Sequence, residues 1–121
     1  MSEKITILYV DDEPLNLMLF RANLKKNYNV HTSLSGEDGL KQLSQHPEIS
    51  VVFSDMRMPG MNGLEFIAIA KKDYPSIVYF ILTGYDITVE ISHALKNNLI
   101  ACYFSKPFNI KEIEKKLASL L

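Results

Sequence analysis

Two periodicities alternate along this chain. Apolar runs rich in Val, Ile, Tyr and Phe lie near residues 5–10, 29–33, 50–54, 77–82 and 100–104. That is the composition strands prefer. Between these runs, and after the last, apolar residues recur at helical spacing. Pro14 suits a first helical turn, and Leu15, Met18, Leu19 and Ala22 then give an i, i+3, i+4, i+7 face. Ser35 with Asp38 predicts a capped helix through Leu40 and Leu43. Asn62-Gly63 opens a helix over 64–73, and Pro75 ends it. Thr88 caps a helix over 89–97, and Asn109 with Glu112 caps the last one. In that last helix Ile110, Ile113, Leu117 and Leu120 share a face. Five strand–helix units with continuous apolar strands predict a parallel sheet covered by helices on both faces, a doubly wound α/β fold. Its crossovers are right-handed.

Composition narrows the class without naming a function. A length of 121 residues is most simply one domain, here taken as 1–121. A net charge of −1 gives no electrostatic pull toward nucleic acid or an anionic membrane, so neither is expected as a partner. Cys102 is the single cysteine, so the chain can build neither an internal disulfide nor a Cys-based metal site. It reads as a small core residue. No apolar stretch reaches membrane-spanning length, and Met1-Ser2-Glu3-Lys4 lacks a signal-peptide pattern. The expected location is cytoplasmic. His31, His46 and His93 are scattered in sequence and carry no assigned chemistry. Met56, Met58 and Met61 read as space-filling residues rather than a cofactor box.

Three carboxylates change the picture. The first apolar run stops at Asp11-Asp12 and the third at Asp55. In open α/β sheets ligands sit outside the carboxyl ends of the strands. A parallel sheet would therefore bring these three acids into one crevice, where like charges repel. The remedies are a hard cation held by oxygen ligands or a lysine. The fifth run supplies Lys106 at its end.

The pieces Asp11-Asp12-Glu13-Pro14, Asp55-Met56-Arg57-Met58-Pro59-Gly60-Met61-Asn62-Gly63, Thr83-Gly84-Tyr85 and Lys106-Pro107-Phe108 stand at successive strand ends. In that order and spacing the chain resembles the receiver domain of two-component response regulators. The resemblance covers essentially its whole length. It implies a flavodoxin-like (βα)5 sheet with strand order 2-1-3-4-5. It implies that Asp55 accepts a phosphoryl group from a phosphohistidine on a sensor histidine kinase or phosphotransfer protein. It implies Mg²⁺ as cofactor, held by Asp12, Asp55 and the backbone carbonyl of Arg57, with Asp11 acting through a water. Lys106 and Thr83 would contact the phosphoryl oxygens, and Gly84 would let backbone approach. Tyr103 would be the aromatic residue of the conformational switch. Pro107 is implied to follow a cis bond. The output would be a shift of the 88–121 face toward an unnamed downstream partner, including phosphorylation-dependent homodimers. The domain would be regulatory rather than an enzyme in its own right. Arg57 and Tyr85, each two residues after a site residue, would tune the phosphoryl lifetime.

Three other readings compete. One is a binding module that keeps the fold and signals without phosphate. A second is a flavodoxin-like cofactor binder, although Asp-Asp-Glu-Pro after the first strand repels phosphate unless a metal intervenes. A third is an aspartate-nucleophile phosphatase, whose two acids would stand two apart rather than adjacent. One departure from the family pattern is Asn97-Asn98 before the fifth strand, where a small residue or Gly is common. Asn tolerates the left-handed conformation a helix end needs.

Overall fold

The computed structural model describes residues 4–84 and 88–120. Strands β1 (Thr6–Val10), β2 (Asn29–Ser33), β3 (Ile49–Asp55), β4 (Val78–Thr83) and β5 (Cys102–Ser105) alternate with helices. The helices are α1 (Pro14–Leu24), α2 (Gly36–Gln45), α3 (Gly63–Asp73), α4 (Val89–Lys96) and α5 (Ile110–Ala118). The strands form one sheet in the order β2-β1-β3-β4-β5, and every pairing is parallel. This is the flavodoxin-like topology that the resemblance implied.

The sheet is buried on both sides, which explains its continuous apolar strands. Side chains alternate between faces with period two. Leu8, Val10, Val52 and Ile81 pack on one side with Leu43 of α2, Phe66 and Ile67 of α3, and Ile91 of α4. Ile7, Tyr9, Phe53 and Phe80 pack on the other with Phe20 of α1 and Ile113 and Leu117 of α5. Met56 and Met58 are buried and Met61 packs beside them, as space-fillers should.

The capping signals formed as read. The Ser35, Asn62, Thr88 and Asn109 side chains each accept a backbone N–H three residues on. At Asn62 the Glu65 side chain returns the bond, completing a capping box. Asn98 takes the left-handed conformation (φ +60°), and the Lys71 ammonium donates to its carbonyl. The Lys106–Pro107 bond is cis.

Three expectations need correction. The face of α1 is not Leu15, Met18, Leu19 and Ala22: those residues are exposed, and Leu17, Phe20 and Leu24 are buried. Apolar residues surround this helix, so spacing alone leaves the inner face undecided. The Phe20 ring decides it, 4.4 Å from Tyr9 and 5.3 Å from Phe53 between ring centroids. Leu120 lies past the end of α5 and is exposed, while Ile113 and Leu117 carry the buried face. Cys102 is half-buried rather than fully in the core.

Candidate functional site

Parallel register brings the carboxyl ends of β1, β3, β4 and β5 to one rim. Backbone bonds extend the ladder into the connecting loops. Asp11 N–H donates to Ser33 (3.1 Å), Met56 N–H to Leu82 (3.2 Å) and Lys106 N–H to Thr83 (2.8 Å). Asp11, Asp12, Asp55, Thr83 and Lys106 thereby converge. Asp11 is completely buried, Asp55 and Thr83 nearly so, and Asp12 is half-buried.

Lys106 Nζ lies 2.9 Å from Asp11 Oδ2 and 3.1 Å from Asp55 Oδ1. One ammonium therefore serves two carboxylates. Asp11 takes three more donors. Tyr9 Oη donates to Oδ2 at 2.5 Å, Asn16 Nδ2 to Oδ2 at 3.2 Å, and Glu13 N–H to Oδ1 at 2.9 Å. A buried charge is tolerable only when paired and hydrogen-bonded in this way. Asp11 is thus an anchor for Lys106, and Asp12 stands outside that network.

The electrostatics follow from the crowding. Burial raises the Asp55 carboxyl above its ordinary value, and the Asp11 charge adds to this; Lys106 opposes both. Burial alone would lower the Lys106 ammonium, but its bond to Asp11 and the charges of Asp55 and Asp11 outweigh that and hold it up. The two directions agree: Lys106 gains from two acids, while each acid receives only part of one cation. Burial, then the bond to Asp11, pushes the Tyr9 hydroxyl far above the usual tyrosine range. Tyr9 stays a donor.

One oxygen from each of Asp11, Asp12 and Asp55 lies within 4.8 Å of the others. Three carboxylates against one ammonium leave a surplus of two negative charges. An all-oxygen set with that surplus fits a hard divalent cation. Beside it a cleft of about 390 Å³ runs between the β3–α3 loop and α4, bordered by Arg57, Met58, Thr83, Thr88 and Glu90.

Other expected residues fall out differently. Arg57 is exposed at the mouth of the cleft. Tyr103 is half-buried and packs against the α2–α3–α4 side of the core. A Cβ placed on Gly84 would meet no described atom within 4 Å. Tyr85 lies outside the described residues. Gly63 is where closeness matters: a Cβ there would come within 2.2 Å of the Asp55 carbonyl oxygen. Gly63 lets α3 start directly against the end of β3. The sequence reading missed Gly63, Tyr9 and Asn16. Period two could have found Tyr9, which stands two residues before Asp11.

The histidines also need correction. His31 and His46 are not scattered in space: their rings stack with centroids 4.2 Å apart.

The response regulator receiver domain model matches residues 7–118, and the chain belongs to that family. It is 33% identical over 109 residues to the hydrogenase transcriptional regulatory protein HoxA of Cupriavidus necator, covering 89% of this chain and 22% of that protein. It is 32% identical over 121 residues to Histidine kinase P4 of Formosa agariphila, covering 98% of this chain and 9% of that protein. The chain therefore spans less than a quarter of either curated relative. The structure of the Vibrio cholerae chemotaxis protein CheY4 superposes with a TM-score of 0.88 at 25% identity, covering 98% of this chain and 100% of that one. The chain is a receiver domain of two-component signal transduction, the module that regulators and sensor kinases share in phosphorelays. No described helix is long and apolar enough to cross a membrane.

Proposed function

We propose that Asp55 is the phosphoryl acceptor and that this regulatory domain works in the cytoplasm. An Asp55 carboxylate oxygen attacks phosphorus on a phosphohistidine of a sensor kinase or phosphotransfer protein. The N–P bond breaks, the acyl phosphate forms, and the imidazole leaves with the N–P bonding pair. The observation that carries this is Lys106 Nζ standing 2.9 Å from Asp11 and 3.1 Å from Asp55. A fixed cation beside the acceptor can pass from Asp55 to a phosphoryl oxygen without leaving Asp11. The Thr83 hydroxyl at the end of β4 would meet another such oxygen.

Asp12, Asp55 and the Arg57 carbonyl would hold Mg²⁺, with Asp11 reaching it through water. When bound, the ion supplies charge neutralisation for the carboxylates and the incoming group. Its fit rests on the uncompensated oxygen set described above. The protein's own residues do the rest. Asp11, tied by Tyr9, Asn16 and Glu13, keeps Lys106 aimed at the acceptor. Arg57 at the cleft mouth, with Tyr85, shields the acyl phosphate from water.

Output follows as a population shift over 88–121, with Thr83 and Tyr103 responding to the phosphoryl group and a downstream partner or second copy reading the change. Phosphoryl partners approach from another side. Leu19 of α1 is 46% exposed and borders a pocket with Lys106, Pro107 and Phe108. Apolar residues exposed beside a reactive site mark a docking surface. Leu19→Asp should slow transfer from a phosphotransfer partner and leave uptake from acetyl phosphate unchanged.

Intact mass after incubation with Mg²⁺ and acetyl phosphate tests the acceptor. One added phosphoryl group, absent in Asp55→Asn and without Mg²⁺, is expected. Uptake that survives Asp55→Asn overturns the assignment.

A further inference from the structure

A second cluster of ligand-type side chains lies away from the acidic rim. His31 stands on β2, an edge strand of the sheet. His46 is the C-cap of α2, and its N–H donates to Gln42. Glu48 follows in the turn into β3, which Pro47 stiffens and the Ile49 N–H to His46 carbonyl bond closes at 3.1 Å. His46 Nδ1 and a Glu48 carboxylate oxygen are 3.6 Å apart. One donor atom from each of the three residues lies within 4.8 Å of the others. Glu48 immediately precedes β3, and Asp55 ends that strand. At about 3.3 Å per residue the two sites are roughly 20 Å apart.

We infer that His31, His46 and Glu48 form a binding site for a borderline divalent transition metal of the Zn²⁺ class. Two imidazoles and one carboxylate select such ions over Mg²⁺ or Ca²⁺, which take oxygen shells. Three protein ligands leave a fourth position for water or a partner's side chain. The ligands come from an edge strand, a helix end and the turn that follows it, so a bound ion ties β2 to the α2–β3 turn.

The free state meets one requirement of binding and lacks another. Imidazole ligands must be neutral. Burial, then the neighbouring His46, holds His31 below the ordinary histidine value, and Arg21 adds to this while Glu48 opposes it. The rings are inclined by 27°. Ring lone pairs lie in the ring plane, so in this stack they run alongside rather than converge. A tetrahedral ion with bonds of about 2.0–2.1 Å needs donors about 3.4 Å apart. Binding therefore swings the rings out of the stack. Both rings are half-buried, so neither is sealed in the core. Arg21 and Lys25 border the same surface and oppose a dication, so the site is a moderate binder that weakens as pH falls and the imidazoles protonate.

Calorimetric titration of the full chain with ZnCl₂, in excess Mg²⁺ to fill the acidic rim, tests this. Wild type and Asp55→Asn should bind one Zn²⁺ alike. His31→Ala, His46→Ala and Glu48→Gln should each weaken binding by about tenfold or more, and His93→Ala should not. Circular dichroism confirms that each variant is folded. Imidazole nitrogen shifts of His31 and His46 on adding Zn²⁺ give a readout that needs no variant. Affinity unchanged in both His31→Ala and His46→Ala, or lost instead in Asp55→Asn, overturns the proposal.

Discussion

The two ends of the sheet gather titratable groups in opposite ways. At the carboxyl end, Asp11 and Asp55 are sealed among strand termini and share Lys106, with Tyr9, Asn16 and the Glu13 amide completing the shell of Asp11. Toward the amino end, His31, His46 and Glu48 sit half in solvent and lean on a ring stack and one long ion pair. Burial turns the first group into an interlocked network, because an unpaired buried charge is expensive. Exposure leaves the second loosely held, since water can serve each group alone. Deleting a member should therefore be costly at one end and cheap at the other.

The largest effect belongs to Lys106→Met. It leaves Asp11 buried with neutral donors only and Asp55 with no cation. Chemical denaturation should show a loss of about 3 kcal/mol. A loss no greater than that of a surface lysine would mean that water reaches Asp11. Tyr9→Phe comes next. It removes one donor from a buried carboxylate, at about 2 kcal/mol, and loosens the anchor of Lys106. Acetyl phosphate uptake should slow with the loss of stability, and unchanged uptake would separate the Tyr9 bond from the site.

Asp55→Asn runs the other way. It removes one of three crowded carboxylates, so without Mg²⁺ the midpoint of thermal unfolding should rise by about 4 °C. Mg²⁺ should then stabilise wild type and leave the variant unmoved. A fall in the midpoint would show that the Lys106–Asp55 bond outweighs the crowding.

The smallest effect is at the other end. His31 is held below its ordinary value by burial and His46, with Arg21 adding and Glu48 opposing. The unfolded chain therefore binds more protons below about pH 6.5. The stability His31 contributes is present above that pH and is lost as pH falls through its folded value. His31→Asn should flatten the difference in unfolding free energy between about pH 5 and 7. An unchanged slope would mean the ring stack does not perturb His31.

Legibility in the sequence follows the range of the interaction. Strand positions, four side-chain caps and the left-handed Asn98 depend on neighbours within a few residues, and all were readable. The acidic rim was readable because strand ends are local features and one parallel sheet suffices to gather them. The inner face of α1 was not. Its apolar residues offered more than one stripe, and Phe20 was chosen by Tyr9 and Phe53, far away in the chain. Gly63 read as a helix start, but its reason is the Asp55 carbonyl against which it lies.

By itself the sequence determined the alternation of elements, the doubly wound class, the family and the acids and lysine at the strand ends, because periodicity and capping act locally. Tertiary structure alone decided that Asp11 rather than Asp12 anchors Lys106, that Tyr9 joins them, and that His31 meets His46 across fifteen residues of chain. Those outcomes depend on which side chains packing excludes from water, and that is a property of the whole fold.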